Sequence, residues 1–215
     1  MVRNRSPPFE NRRTAGRRLG EALRERDIVA DIVLAIPRGG VPVARPVADA
    51  LGAPLDIAVA KKIGAPNNPE FAIGAVAADG SVWLNTAVIE RREIPRDYVA
   101  STRAEMAETA RKKAQRYRSS EVSPGLTGKR VCLVDDGVAT GATVRACIEQ
   151  IRQADPERLV LAVPVGSPRA ISELKALVDE VVCLEMPSDF RAVGQYYEQF
   201  EQVSDEEAMS SLADE

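Results

Sequence analysis

Two adjacent acids, Asp135 and Asp136, stand between an apolar run and a stretch of small residues, and this spacing could bind an anion. The apolar run, residues 131–134, predicts a buried strand, and an amphipathic helix is predicted from about residue 141. Parallel α/β sheets bind ligands at the carboxyl ends of their strands, where these acids would emerge. Small residues over 137–142 let backbone N–H groups approach a phosphate, and a helix that begins there adds its positive end.

The two acids also limit which anion fits. A phosphate and two nearby carboxylates repel each other unless the ligand places neutral hydroxyls or a metal before the acids. A sugar phosphate meets this condition, because ribose 2′ and 3′ hydroxyls donate to the acids while the 5′-phosphate binds the amides and the hydroxyls of Thr140 and Thr143. Charge-assisted hydrogen bonds of this kind contribute about 1.5–3 kcal/mol each. The residues therefore predict a site for a phosphorylated ribose.

The string VDDGVATGAT, residues 134–143, resembles the phosphoribosyl pyrophosphate loop of type I phosphoribosyltransferases. The resemblance implies that Asp135 and Asp136 hold the ribose hydroxyls and that Mg²⁺ takes part, with the two acids as indirect ligands. It also implies that the 5′-phosphate binds the residues that follow. These are Ala139, Thr140, Gly141, Ala142 and Thr143. Competing motifs fit worse, because the loop has no lysine for a Walker A motif and lacks the DxDxT order of an aspartyl phosphatase.

The string PRGG, residues 37–40, follows the apolar run DIVLAI and predicts a tight turn at the end of a buried strand. The family places its pyrophosphate loop after the first core strand, so the resemblance implies that role here. Gly39 and Gly40 let amides point at a diphosphate, and Arg38 could supply a forked donor. Alone, PRGG fits an ordinary turn equally well, and the downstream loop favours the functional interpretation.

Further cations are candidates for the same ligand. Lys61 and Lys62 are predicted to end a second strand over residues 55–62, where the resemblance implies a cation near pyrophosphate. The Gly-, Pro- and Asn-rich stretch 64–70 predicts a mobile loop, a candidate lid. A basic cluster in a later polar helix is a second candidate lid, although an exposed helix face is the simpler interpretation. Its members are Arg111, Lys112, Lys113 and Arg116.

Residues 186–197, MPSDFRAVGQYY, follow the last predicted strand and would form a small hood over the acceptor base, as in this family. Phe190, Tyr196 or Tyr197 could stack on a ring, or could equally pack the C-terminus onto the core. The chain as a whole most resembles a group of predicted phosphoribosyltransferases of unassigned acceptor. Hypoxanthine and guanine enzymes carry a further Asp where this loop has Ala139, so a 6-oxopurine acceptor is not expected.

The elements that must position these residues alternate along the chain. From residue 130 onward the pattern predicts strand, helix, strand, helix, strand, which implies parallel strands joined by right-handed crossovers. Helices are predicted upstream over 11–25, 41–51 and 96–117, and a β-hairpin around Asp79-Gly80. We therefore expect an α/β fold with a mainly parallel sheet flanked by helices, which is the type I phosphoribosyltransferase fold, with a β-hairpin/helix insertion.

The 215 residues predict one domain over 1–203, with the hood at about 186–203 and a frayed acidic tail at 204–215. The absence of histidine excludes Ser-His-Asp and Cys-His catalysis and removes the commonest zinc ligand. A net charge of −3 makes nucleic acid an unlikely partner. No long apolar segment predicts a membrane anchor or a signal peptide, so we expect a cytoplasmic protein.

These observations together predict a Mg²⁺-dependent transferase that moves 5-phosphoribose from phosphoribosyl pyrophosphate to a nitrogenous base or related nitrogen acceptor, releasing pyrophosphate. The main alternative is a non-catalytic regulator that binds phosphoribosyl pyrophosphate or a nucleotide at the same site. A hydrolase of the sugar pyrophosphate or of a nucleoside phosphate is a third hypothesis. A homodimer is a further expectation from the resemblance, because dimers are common in the family.

Overall fold

The chain folds around a five-stranded sheet in which every pair of neighbouring strands is parallel. The computed structural model describes residues 7–117 and 125–213. The strand order is β2-β1-β6-β7-β8, so the first and sixth strands along the chain lie side by side. These strands are β1 (Ile32–Ala35), β2 (Leu55–Ile57), β6 (Arg130–Val134), β7 (Arg158–Val165) and β8 (Glu180–Glu185).

Helices cover both faces of this sheet, as the alternating pattern predicts. α1, α2 and the later part of α4 enclose one apolar layer, and α5 and α6 enclose the other. The expected mainly parallel α/β fold is therefore confirmed. Among the described residues, none of the helices has the length and apolar composition of a membrane span. The helices are α1 (Arg12–Arg24), α2 (Gly40–Leu51), α4 (Arg96–Tyr117), α5 (Ala142–Gln153) and α6 (Pro168–Leu174).

A separate antiparallel sheet, β3-β4-β5, forms the insertion between β2 and α4. The predicted hairpin around Asp79-Gly80 is confirmed, with Gly80 at a φ of 92° and the Ser81 N–H bonded to the Asp79 carboxylate. The core of the insertion packs one face of the sheet against α3 and the start of α4. The elements are β3 (Ala60–Ala65), β4 (Asn68–Ala77), β5 (Val82–Leu84) and α3 (Thr86–Arg91).

Two predictions about this insertion are wrong. The expected strand over 55–62 divides into β2 and β3, and the expected mobile loop over 64–70 is the tip of the β3–β4 hairpin. Two register shifts beside Gly64 absorb the irregular residues, so the strands continue on either side of the short turn at Pro66 and Asn67. Ile63 and Ile73 are fully buried beneath this pairing, which gives the hairpin the apolar support that its turn-rich sequence conceals.

The acidic tail, predicted to fray, is instead helical over most of its length. Helix α7 (Asp205–Ala213) packs against α2 and α4, with Ala208 fully buried. Its start carries a capping box in which Ser204 and Glu207 exchange hydrogen bonds between side chain and backbone. This Ser-x-x-Glu spacing was available in the sequence and marks a helix start, whereas the acidic composition alone suggested fraying. Residues 214–215 lie outside the described residues.

The N-terminal ends of β1 and β6 are joined by an ion pair that fixes the two strands side by side. Both nitrogens of one edge of the Arg130 guanidinium, Nε and Nη2, donate to the two carboxylate oxygens of Asp31 at 3.0 and 2.6 Å. The Arg130 backbone N–H donates to the same carboxylate at 2.8 Å. These bonds lower the pKa of Asp31 to about 2. Ala35 at the far end pairs with Val134, so the two following turns leave the sheet together.

Candidate functional site

The turn after β1 and the loop after β6 meet directly at the carboxyl edge of the sheet. A Cβ atom at Gly39 would overlap the Asp136 carboxylate, and a Cβ at Gly40 would lie 3.2 Å from Asp135 Oδ1. Only glycine allows this approach, so the two segments that the sequence predicts separately form one site. The peptide bond between Pro37 and Arg38 in this turn is cis.

The acid pair faces this junction and is only partly accessible. Asp135 Oδ1 accepts from the Asp136 backbone N–H at 2.8 Å, and Asp136 Oδ2 accepts from Arg12 Nε at 2.8 Å. Burial raises the pKa of Asp135 well above its ordinary value, and the charge of Asp136 raises it further. Burial also raises the pKa of Asp136, although the Arg12 charge opposes this shift. Two desolvated carboxylates beside one arginine would be stabilised by hydroxyl donors or by a further cation.

The predicted phosphate-binding residues line the loop that leads into α5. Ala139 and Thr140 are exposed, and Gly141 adopts a left-handed φ of 76° immediately before the helix. Among the described residues no side chain caps the start of α5, which leaves its first N–H groups available to an anion. The loop is held by the start of α6, because Ser167 Oγ donates to the Ala139 carbonyl at 2.7 Å.

The two predicted lysines do not act as a pair. Both lie within β3 rather than at the end of a parallel strand, and successive strand residues point to opposite faces. Lys61 shares the face of buried Ile63, which packs toward α4, and its charge lowers the pKa of Lys113 on that helix. Lys62 projects from the opposite face. Lys61 is therefore the lysine that the structure brings toward the junction.

One member of the basic cluster on α4 also reaches the junction. Lys113 Nζ donates to the Pro37 carbonyl at 3.1 Å and is half-buried, whereas the other three basic residues lie on the exposed side. Arg111 and Lys112 pair with Glu108. Arg116 pairs with Asp205 of α7. Burial, and then the charge of Lys61, lower the pKa of Lys113 to about 8.

A pocket of about 280 Å³ opens beside Arg38, Gly39 and Asp136. Its outer wall is formed by residues 200–203, the last part of the predicted hood, which we call the C-terminal strap. Arg12 fastens this strap, because its Nη1 donates to the Glu201 carbonyl at 2.8 Å and its guanidinium carbon lies 3.8 Å from the centre of the Phe200 ring. Arg12 therefore contacts both Asp136 and the strap.

Comparison with known proteins decides the family. The model of the phosphoribosyl transferase domain matches residues 10–201. The chain belongs to this phosphoribosyl transferase domain family. The matched range includes both strings, VDDGVATGAT and PRGG, and the strap up to Glu201.

Individual relatives support the assignment. A Mycobacterium tuberculosis protein named "Putative phosphoribosyl transferase" is 40% identical over 204 residues, which cover 95% of this chain and 46% of the relative. The chain thus spans about half the length of that relative. The crystal structure of TT1426 from Thermus thermophilus has a TM-score of 0.82 and 45% identity, covering 95% of this chain and 97% of that one. An amidophosphoribosyltransferase of Methanothermobacter thermautotrophicus is 28% identical over 70% of this chain and 25% of its own.

The hood of this phosphoribosyl transferase domain packs against the loop after β6. A Cβ at Gly137 would contact Val193 at 2.6 Å, and the Tyr197 hydroxyl donates to the Asp136 carbonyl at 2.6 Å. Tyr197 is buried, so it packs the C-terminus onto the core. Phe190 stacks on Tyr196 with 5.6 Å between ring centres, as part of the same apolar cluster. The aromatic residue that lines the pocket is Phe200, and stacking of Phe190 on a base stays a prediction.

Three residues of the site were missed from the sequence: Arg12, Lys113 as an individual member of its cluster, and Phe200. Arg12 is adjacent to Arg13, and Lys113 to Lys112, so residue type alone cannot distinguish the member that points inward. The helical repeat carries a partial signal for Lys113, because Ala110, Ala114 and Tyr117 mark the buried side of α4. Phe200 lies within the predicted hood, but no sequence signal distinguishes it from its neighbours, because its ring packs on Arg12 of the distant helix α1.

Proposed function

We propose that this protein transfers 5-phosphoribose from phosphoribosyl pyrophosphate to a nitrogen acceptor and releases pyrophosphate. One observation carries the proposal: the PRGG turn and the acid-pair loop meet so closely that Gly39 has no room for a side chain beside Asp136. A ligand that spans the junction must therefore present a group to the acids, one to the start of α5 and one to the PRGG turn. Ribose hydroxyls, the 5′-phosphate and the pyrophosphate meet these three requirements.

Each part of the donor has a chemically matched partner. The hydroxyls of the ribose donate to Asp135 and Asp136, and the 5′-phosphate accepts from the amides over 139–143 with the hydroxyls of Thr140 and Thr143. The pyrophosphate accepts from the amides of Gly39 and Gly40 and from Arg38, with Lys61 nearby. Cations and amides on that side would stabilise the charge of the leaving group as its bond to the anomeric carbon breaks.

The donor set fits Mg²⁺ that arrives with the ligand rather than in a cage of its own. Among the described residues no group of three or more His, Cys, Asp or Glu side chains could hold a metal ion. Asp135 and Asp136 offer two carboxylates, and Mg²⁺ is typically bound by one or two carboxylates together with phosphate oxygens and water. The ion would add positive charge beside the pyrophosphate, while the acids orient the ribose by accepting hydrogen bonds from its hydroxyls.

The residues favour catalysis by orientation and electrostatics. Bond breaking at the anomeric carbon develops oxocarbenium character, which buried carboxylates beneath the ribose would stabilise. No covalent nucleophile is required for this reaction, and no side chain is assigned as a general base. The strap over 200–203 and the hood lie on the outer side, where they would limit the access of water to the reacting carbon.

The test is calorimetric titration with phosphoribosyl pyrophosphate and Mg²⁺, followed by a panel of nucleobases and other nitrogen compounds assayed for pyrophosphate release. We expect saturable binding of the donor and release of pyrophosphate that depends on one class of acceptor. Binding without release by any acceptor would support the regulator instead. Pyrophosphate release that needs no acceptor would support the hydrolase, and absence of donor binding would exclude the proposal.

The substitution Asp136→Asn tests the assigned role of the acid pair. We expect donor affinity to fall by roughly tenfold to a hundredfold, because a charge-assisted bond of about 1.5–3 kcal/mol becomes a neutral one. Unfolding free energy should change little, because the weaker bond to Arg12 is offset by the loss of repulsion between two buried like charges. Asp155→Asn, an exposed acid in the turn after α5, is the control. Unchanged donor affinity in purified, folded Asp136→Asn would contradict the role of Asp136.

A further inference from the structure

Two neighbouring lysines on α4 have very different surroundings. Lys112 is 73% exposed and pairs with Glu108 one turn earlier on the same helix. Lys113 points the other way, is half-buried, and donates to the Pro37 carbonyl at 3.1 Å. Pro37 opens the PRGG turn, so a helix outside both recognised strings contacts the turn directly. A lysine that only solubilised the helix surface would not need this orientation.

Apart from its bond to the Pro37 carbonyl, Lys113 lies among like charges and pairs with no carboxylate of the described residues. Arg38 and Lys61 both lower its pKa, after burial itself, and none of the ion pairs among residues 7–117 and 125–213 includes any of these three cations. The carboxylates of Asp135 and Asp205 act on Lys113 only from a distance. Lys113 contacts the turn, Arg38 belongs to it, and Lys61 is near enough for its charge to act on Lys113, so a bound polyanion would relieve the repulsion among these cations.

The far end of α4 is fixed so that this arrangement is reproducible. Tyr117, one turn beyond Lys113, hydrogen bonds through its hydroxyl to Asp205 of α7, and Arg116 pairs with the same carboxylate at 2.9 Å. The ring of Tyr117 also lies 5.8 Å from Lys113 Nζ. The C-terminal helix therefore sets the position of α4, and through it the position of the lysine beside the turn.

We propose that Lys113 is a positioning residue for the pyrophosphate side of the site, where it holds the PRGG turn through Pro37 and adds a third positive charge to Arg38 and Lys61. This inference rests on the proposed function for the identity of the natural ligand. Its chemical content is narrower: the turn binds a diphosphate group, and Lys113 supports that group and not the ribose 5-phosphate half of the donor.

The experiment compares three ligands on four proteins by calorimetric titration. The ligands are phosphoribosyl pyrophosphate with Mg²⁺, inorganic pyrophosphate with Mg²⁺, and ribose 5-phosphate. The proteins are the wild type, Lys113→Met, Lys113→Arg and the matched control Lys112→Met. We expect Lys113→Met to weaken both diphosphate ligands by roughly tenfold and to leave ribose 5-phosphate within about twofold of the wild type. Lys113→Arg should recover most of the loss, and Lys112→Met should bind all three ligands normally.

The ligand comparison separates this inference from the proposed function and from simple misfolding. If the wild type binds the donor and Lys113→Met binds the diphosphates equally well, the inference fails while the proposed function stands. Equal losses for ribose 5-phosphate and pyrophosphate would show a general disturbance of the site and would also overturn the inference. If the wild type does not bind the donor, the proposed function fails, and titration with pyrophosphate alone still decides the role of Lys113. Should Lys113→Met not fold, Lys113→Gln replaces it in the same comparison, with the same expected losses and the same contradicting results.

Discussion

The two segments that form the site leave adjacent strands but are built in different ways. The loop after β6 carries its binding groups within one stretch of chain: a buried strand, two acids, a left-handed Gly141 and an uncapped helix start follow one another. The turn after β1 is completed by segments that are distant in sequence. Lys113 of α4 bonds to it, and the strap over 200–203 lines the pocket beside it. Arg12 of α1 fixes Asp136, the acid of the other segment that lies against Gly39.

This difference indicates where binding strength and selectivity can be changed independently. The groups proposed to bind the 5′-phosphate all lie within residues 139–143, so substitutions on α1 or α4 should affect 5′-phosphate binding little. A turn assembled from distant segments depends on each contact, so single substitutions on α1 or α4 should affect the diphosphate and the ribose hydroxyls.

Gly39→Ala should have the largest effect, because it attacks the contact between the two segments. The added Cβ would overlap the Asp136 carboxylate, so the acid must move or the turn must open. We expect donor affinity to fall by roughly a hundredfold, about 2.7 kcal/mol, through the loss of the ribose bonds. Unfolding free energy should fall by about 1–3 kcal/mol from overpacking. Calorimetry and denaturant unfolding measure the two effects.

The control for this substitution is Gly125→Ala, whose Cβ would have no atom within 4 Å. It should bind the donor like the wild type. If Gly39→Ala also binds normally, the two segments do not form one site, and the comparison between them loses its basis.

Arg12→Ala tests whether a segment distant in sequence supports the acid pair. The substitution removes the bond to Asp136 and both contacts to the strap. We expect donor affinity to fall by roughly tenfold, in line with the loss of one charge-assisted bond. Arg13→Ala, the exposed neighbour on α1, should leave calorimetric binding unchanged. Equal affinities for Arg12→Ala and the wild type would mean that Asp136 is held by its own loop, and that both segments are self-contained.

The same division explains which parts were predictable from the sequence. The acid pair, the loop over 139–143 and the PRGG turn are short, contiguous and chemically distinctive, and the strands and helices around them have clear periodicity. The hairpin tip over 64–70 misled because turn-forming residues were accommodated by bulges above a buried apolar layer. Arg12, Lys113 and Phe200 could not be identified, because their roles depend on which side of an element faces another element, and that is decided by tertiary packing.

Asp31→Asn should have the smallest effect and should act on stability alone. Asp31 and Arg130 join β1 and β6 at the end of the strands opposite the site. The pKa of Asp31 lies at about 2, below its ordinary 3.8, so the stabilisation is fully present above about pH 4 and is lost as pH falls toward 2. Denaturant unfolding of the wild type and Asp31→Asn from pH 7 to pH 2 should therefore show a stability difference that disappears at the acid end. The control Asp27→Asn should show no such difference from the wild type.

Donor affinity of Asp31→Asn at neutral pH should stay within about twofold of the wild type, because the bonds along β1 and β6 still hold the two turns level. A large loss of affinity in Asp31→Asn would mean that the junction depends on strand alignment across the whole sheet, and that even the contiguous loop is not independent of distant contacts.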